Sequence, residues 1–174
     1  MIPRAARLRL RTGVLKTQAM IALDLPDEAA TAALAARIAA LAQPGDVIAL
    51  RGELGAGKTA FARAFIRARG GDGPVPSPTF TLAQLYELPA GPVWHFDFYR
   101  LKRPEEAWEL GIEEAFPDGV ALIEWPERAE AVLPADRLEI TLSQGPAANS
   151  RRAEIAGGPG WAARLTALAE GRGS

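Results

Sequence analysis

The sequence predicts an α/β fold: a largely parallel central sheet flanked by helices, with antiparallel additions. Three observations carry this expectation. Segments of strand and helix character alternate along most of the chain, the order that builds parallel βαβ units. A short apolar run, Val47 to Leu50, reads as a strand buried on both faces and feeds directly into a glycine-rich turn and a helix. The length, 174 residues, suits one domain of ordinary size.

Each element has a local reason. Ile21 to Leu25 reads as a short strand, and Asp27 is placed to cap a helix running to about Leu41, with Ala30, Leu34, Ile38 and Leu41 at helical spacing. Pro44 and Gly45 end that helix. A second helix is expected from Lys58 to about Arg69, followed by a loop at 70–78, where three Gly and three Pro fall in nine residues. Thr79 to Leu88 and Val93 to Phe98 read as two strands joined across Pro89 to Pro92. Pro104 opens an acidic helix, and Val120 to Trp125 is another strand of the buried type. Arg137 to Ser143 and Arg151 to Ile155 form an expected hairpin, and a last helix spans Trp161 to Ala169.

Composition narrows the chemistry. Hydrophobic residues make up 48% of the chain, so a packed core is within reach, although 35 of them are Ala. There is no cysteine, which removes disulfides, thiolate zinc sites and cysteine nucleophiles together. The single histidine, His95, cannot build a multi-histidine metal site. No apolar run approaches the ~18 residues that span a bilayer, since the longest candidate, Ala29 to Ala42, is broken by Arg37. A soluble, cytoplasmic protein that makes no membrane contact is expected.

Charge is unevenly spread about a net of -1. Residues 1–19 carry four Arg and Lys16 without an acid, leaving 15 bases against 21 acids in the rest. This basic leader has no apolar core of the secretory kind and reads as a disordered tail or a start-site artefact upstream of Met20, with a nucleic-acid arm as the other reading. The domain is therefore expected over residues 20–174. Pro104 to Glu130 holds nine acids against Arg128 alone, a surface that repels phosphate backbones and suits either solvent or a basic protein partner.

Gly52-Glu53-Leu54-Gly55-Ala56-Gly57-Lys58-Thr59 fits the pattern G-x-x-x-x-G-K-[ST] between a buried strand and a helix, where a phosphate-binding loop must lie. Glycines let successive N–H groups turn inward around phosphate oxygens, and the helix N-terminus adds positive potential. Lys58 reaches the β and γ phosphates and Thr59 offers its hydroxyl to magnesium. Phosphoryl transfer also needs carboxylates for metal and water, and two strands end in acids, at Asp97 and Glu124. Alternation places His95, Asp97 and Tyr99 on one strand face and Trp94, Phe96 and Phe98 on the other. His95 is expected to be a hydrogen-bonded structural imidazole. No N-K-x-D motif for guanine is present, which favours ATP.

Together, Leu25–Thr31, Gly52–Thr59, Ser77-Pro78-Thr79-Phe80, His95–Leu101 and Glu124-Trp125-Pro126-Glu127 resemble the TsaE (YjeE) family of bacterial tRNA threonylcarbamoyladenosine synthesis, over residues 20 to about 140. The resemblance implies a P-loop NTPase fold and magnesium-dependent ATP hydrolysis, weak in the isolated chain. It also implies work with the partner proteins TsaB and TsaD, which modify adenosine 37 of ANN-decoding tRNAs, so that tRNA is met only through the complex. Carried over by position, Gly52, Gly55, Ala56, Gly57, Lys58, Thr59 and Ala60 bind the nucleotide, Gly55 to Thr59 holding the phosphates and Ala60 standing where a second Thr is frequent. Thr59, Asp97 and Glu124 serve metal and water, with Lys58, Asp97 and Glu124 as the catalytic set. Ser77 and Thr79 form a switch that closes on the γ-phosphate. Glu28 and Thr31 lie near the adenine and Trp125 near the nucleotide. Two other readings stay open: a small-metabolite kinase, which needs an arginine-bearing lid where the segment after Leu101 is acidic, and a nucleotide-dependent binding module without turnover.

Removal of residues 1–19 is expected to leave folding, nucleotide binding and partner assembly intact, because that segment has no apolar periodicity. A lowered melting temperature or weakened complex in the truncated protein would refute this.

Overall fold

The computed structural model describes residues 20–171, and the basic leader at 1–19 lies outside the described residues. Seven strands form one sheet: β1 (Met20–Leu25), β2 (Val47–Arg51), β3 (Ala83–Tyr86), β4 (Val93–Asp97), β5 (Val120–Glu124), β6 (Leu138–Gln144) and β7 (Arg151–Gly157). Five helices accompany them: α1 (Glu28–Leu41), α2 (Lys58–Ala68), α3 (Glu106–Glu109), α4 (Ile112–Asp118) and α5 (Ala162–Glu170). The strand order is β1-β7-β6-β2-β5-β4-β3. The four central strands β6, β2, β5 and β4 run parallel, while β7, β1 and β3 add antiparallel at the edges. A mixed α/β sheet with a parallel centre is therefore what the alternation of elements builds.

Two layers of core enclose the sheet. Ile48, Leu50, Leu122, Leu138 and Ile140 pack on one face under Leu34 and Ile38 of α1, Phe61 and Phe65 of α2, and Leu165 of α5. Val47, Phe96, Ala121 and Ile123 face the other way, toward Ala107, Ile112 and Ala115 of α3 and α4. Alternation along β2 and β5 thus sends every second apolar side chain into a different layer. Asp27 caps α1 as its sequence position suggests, Oδ1 accepting the N–H of Ala30 at 2.8 Å.

Three expectations are corrected. The strand foreseen at Thr79 to Leu88 is only β3, because the chain from Pro78 closes as a turn: Leu82 adopts φ 62° and donates its N–H to Pro78 O at 2.8 Å. The acidic helix after Pro104 is broken into α3 and α4 by Gly111 at φ 80°, a left-handed conformation that no regular helix continues through. The strand ending at Trp125 stops one residue earlier, and Trp125 turns left-handed (φ 58°, ψ 50°) into a 3-10 turn at Pro126–Val132.

Candidate functional site

The parallel strands bring three carboxyl ends to one edge of the sheet. Register sets Asp97 of β4 opposite Glu124 of β5, and Glu124 opposite Leu50 of β2, just before the glycine loop. Because β6 is parallel to β2, the tip of the β6–β7 hairpin reaches the same edge and delivers Arg151 beside the loop. This carboxyl edge is where open α/β sheets gather ligands.

The loop from Gly52 to Gly57 is backbone-determined. Gly52 has φ 147°, and a Cβ there would lie 2.5 Å from the carbonyl oxygen of Leu142. Gly57, at φ 105°, precedes α2 with no side chain capping its first turn, so the initial N–H groups remain open to a ligand. Arg151 braces the loop from outside, donating from Nε to Ala56 O at 3.1 Å and from Nη2 to Gly55 O at 3.2 Å.

Lys58 folds back over the loop. Its ammonium donates to Gly52 O at 2.5 Å and Glu53 O at 2.9 Å and lies 4.0 Å from the centre of the Trp125 ring. Burial pushes its pKa down, opposed by the field of Glu124, Glu127, Asp97 and Glu53. The left-handed backbone of Trp125, a conformation costing a bulky residue about 1–3 kcal/mol, carries the ring to this position. Tyr99 packs against it with ring centres 4.9 Å apart.

Glu124 is 2% exposed and has both carboxylate oxygens engaged: Thr59 Oγ1 donates to Oε1 at 2.8 Å, and His95 Nε2 lies 2.7 Å from Oε2. His95 is thus the hydrogen-bonded imidazole expected. Asp97, also buried, accepts the Tyr99 N–H at 3.0 Å and the Ser77 hydroxyl at 3.4 Å, and Thr79 donates to Ser77 Oγ at 3.1 Å. Burial is the main cause that raises the Asp97 carboxyl above its ordinary value of 3.8.

Two adjoining cavities open along this edge. One, about 520 Å³, is lined by Gly55, Gly57, Lys58, Thr59, Ala60, Ser77, Thr79, Asp97, Tyr99, Arg100, Glu124, Trp125 and Arg151, with Leu54 at its rim. The other, about 530 Å³, lies between the start of α1 and the hairpin tip, lined by Asp27, Glu28, Ala29, Thr31 and Asn149; it shares Gly57, Ala60 and Arg151 with the first. Thus Glu28 and Thr31 line one cavity, and Lys58, Thr59, Ser77, Thr79, Asp97, Glu124 and Trp125 meet in its neighbour. Gly52 and Ala56 line neither: Gly52 contributes a carbonyl to Lys58, and the Ala56 methyl is buried in the core.

Arg151, Asn149 and Arg100 escaped sequence reasoning. Only the parallel pairing of β2 with β6 brings the hairpin tip to the loop, and no local pattern announces that. Arg100 had a signal, its place in His95–Leu101, and among the described residues its guanidinium stacks on the exposed Phe80 ring, 5.2 Å from the centre.

The donor set, a hydroxyl and two carboxylates, fits a hard cation such as magnesium. Among the described residues no cluster of three or more Asp, Glu, His or Cys forms a complete metal cage, so such an ion would share its shell with phosphate oxygens and water.

Since the native state holds the Asp97 proton more tightly than the unfolded chain, its contribution to stability is greatest below pH 3.8 and is lost as pH rises through the raised value. Asp97→Asn should therefore raise the melting temperature of the ligand-free protein at pH 7, with the difference from wild type shrinking toward pH 4. Equal melting temperatures at both pH values would contradict this.

Comparison with known proteins covers the whole site. The family model described as "Threonylcarbamoyl adenosine biosynthesis protein TsaE" matches residues 25–153, a span that includes every cavity residue named above. The tRNA threonylcarbamoyladenosine biosynthesis protein TsaE of Rickettsia bellii is 42% identical over 119 residues, 68% of this chain and 83% of that protein. The same protein of Bacillus subtilis is 42% identical over 120 residues, 68% of this chain and 73% of that one. The crystal structure of Bacillus subtilis YdiB superposes with a TM-score of 0.75 at 30% identity, covering 88% of this chain and 96% of that chain. No helix among the described residues is long and apolar enough to cross a membrane. The chain belongs to the TsaE family of tRNA threonylcarbamoyladenosine biosynthesis.

Proposed function

We propose that the chain is the magnesium-dependent ATP hydrolase of this pathway, with a P-loop NTPase fold, acting in the cytoplasm together with TsaB and TsaD. The observation that carries this reading is the convergence of Lys58, Thr59, Asp97 and Glu124 at the carboxyl edge of β2, β4 and β5, around an uncapped helix N-terminus. In this reading the open N–H groups at the start of α2 receive the β and γ phosphates, and the Lys58 ammonium transfers from the loop carbonyls to phosphate oxygen. Thr59 can present a lone pair to the cation while its hydroxyl goes on donating to Glu124 Oε1. Magnesium, when bound, neutralises charge developing on the phosphates.

Asp97 and Glu124 orient water for attack on the γ-phosphorus. A new P–O bond forms, the bond to the β–γ bridging oxygen breaks, and ADP and phosphate result. Ser77 and Thr79, already linked to Asp97, are the switch that closes over the γ-phosphate. The cavity of Glu28, Thr31 and Asn149 takes the adenine. Contact with tRNA is indirect, through the complex, because the charge balance of the body is unfavourable for phosphate backbones.

Phosphate release from ATP, measured with and without TsaB and TsaD, tests the proposal. Lys58→Ala should lose nucleotide binding or turnover, since among the described residues no other lysine lines the cavity to replace its charge. Asp97→Ala and Glu124→Ala should keep measurable nucleotide affinity while turnover falls by at least ~100-fold. Unchanged turnover in any of the three removes that residue from the site, and no phosphate release by the wild type with partners removes the proposal.

The acidic segment after Pro104 offers a docking surface for a basic partner, but its members differ. Glu106 accepts the N–H groups of Lys102 and Arg103 at 2.6 and 3.0 Å, bonds that hold its pKa down, so it shapes the local turn. Glu105 and Glu109 are exposed and carry no such bond among the described residues. Their replacement by Lys should weaken a TsaB–TsaD complex severalfold in calorimetric titration while sparing nucleotide affinity; an unaltered complex would exclude this face.

A further inference from the structure

His95 is the chain's one histidine and is fully buried on β4, yet the fold gives no packing reason for an imidazole there. Its neighbours across the sheet are Leu122 on β5 and Gln84 on β3, whose side-chain amide donates to Leu85 O. Burial also leaves His95 Nδ1 without a hydrogen-bond partner among the described residues, an unfavourable state that a leucine or phenylalanine would avoid. The compensation lies at the other nitrogen. A carboxylate oxygen accepts, so the 2.7 Å contact with Glu124 Oε2 calls for a ring that donates from Nε2.

We propose that His95 is a positioning residue for Glu124, a role that rests on the ATP-hydrolase reading. Glu124 is close enough to Lys58 to act on its charge, yet the ammonium bonds two backbone carbonyls and forms no ion pair with that carboxylate among the described residues. The Nε2–H of His95 holds one carboxylate oxygen and the hydroxyl of Thr59 the other. With both oxygens anchored, Glu124 stays aligned on Thr59 and is kept from swinging onto Lys58, where it would compete with phosphate. His95 thus does for Glu124 what outer-shell partners do for metal ligands.

Two substitutions separate this role from core packing. Glutamine places its amide nitrogen as many bonds from Cα as His Nε2, whereas the asparagine amide stops one bond short. His95→Gln should keep turnover within about threefold of wild type. His95→Asn should lose about 10–100-fold in kcat, with nucleotide Kd raised severalfold as Glu124 competes for Lys58 and more magnesium needed for half-maximal rate. Nuclear magnetic resonance of protein carrying ¹⁵N-histidine reports one imidazole, and in the nucleotide-free protein it should show the proton on Nε2 and a bare Nδ1. Wild-type turnover in His95→Asn, equal losses in both variants, or a proton on Nδ1 with Nε2 bare would overturn the proposal. A wild-type chain that releases no phosphate would instead overturn the hydrolase reading, and the tautomer would still report whether His95 donates to Glu124.

Discussion

A carboxylate buried to 2% exposure must find hydrogen-bond donors, and Glu124 finds them on two different elements. Thr59 belongs to the first turn of α2 and His95 to β4, so satisfying one side chain fixes the distance between a helix start and two neighbouring strands. The glycine loop is the only covalent path from β2 to that helix, and its geometry is therefore set from both ends. Asp97 lies directly across the ladder from Glu124 and takes its own donors from Tyr99 and Ser77. The site is thus built outward from one buried charge.

A second set of charges steadies the same edge from behind. Arg51, the last residue of β2, meets Glu139 of β6 and Glu130 of the 3-10 turn, each at 2.6 Å, and Arg137 bridges the same two acids. The hydrogen bond that Arg51 donates to Glu139 is the chief cause holding its guanidinium in the charged form. Glu139 is held below its ordinary value by these arginines, although burial acts the other way. The network ties the turn that follows Trp125 to the strand that precedes the glycine loop. Shared charges of this sort add more to orientation than to stability.

Much of the fold and site was legible because local rules and tertiary context agree. Val47 to Leu50 is apolar on both faces because it is central in the sheet, and the glycine pattern after it needs no tertiary information to be read. The misreadings fall where backbone conformation departs from what side-chain pattern encodes. Leu82 and Trp125 adopt left-handed conformations that nothing in an apolar sequence announces, and Gly111 ends a helix that acidic composition alone would continue. Arg151 was invisible for another reason: it lies 92 positions beyond Thr59 in sequence, and only strand pairing brings the two to one cavity. The adenine-side assignment of Glu28 and Thr31 came from family likeness, and geometry adds that they share a cavity with Asn149.

The folded-back posture of Lys58 changes what ligand entry means. Its ammonium is not a vacant charge waiting in solvent, since the carbonyls of Gly52 and Glu53 and the ring of Trp125 already surround it. An incoming anion therefore makes an exchange, displacing an internal set of partners, and net affinity is the difference between two sets of contacts. Lys58 consequently has a rest position of its own, one defined geometry held by internal partners before any ligand arrives.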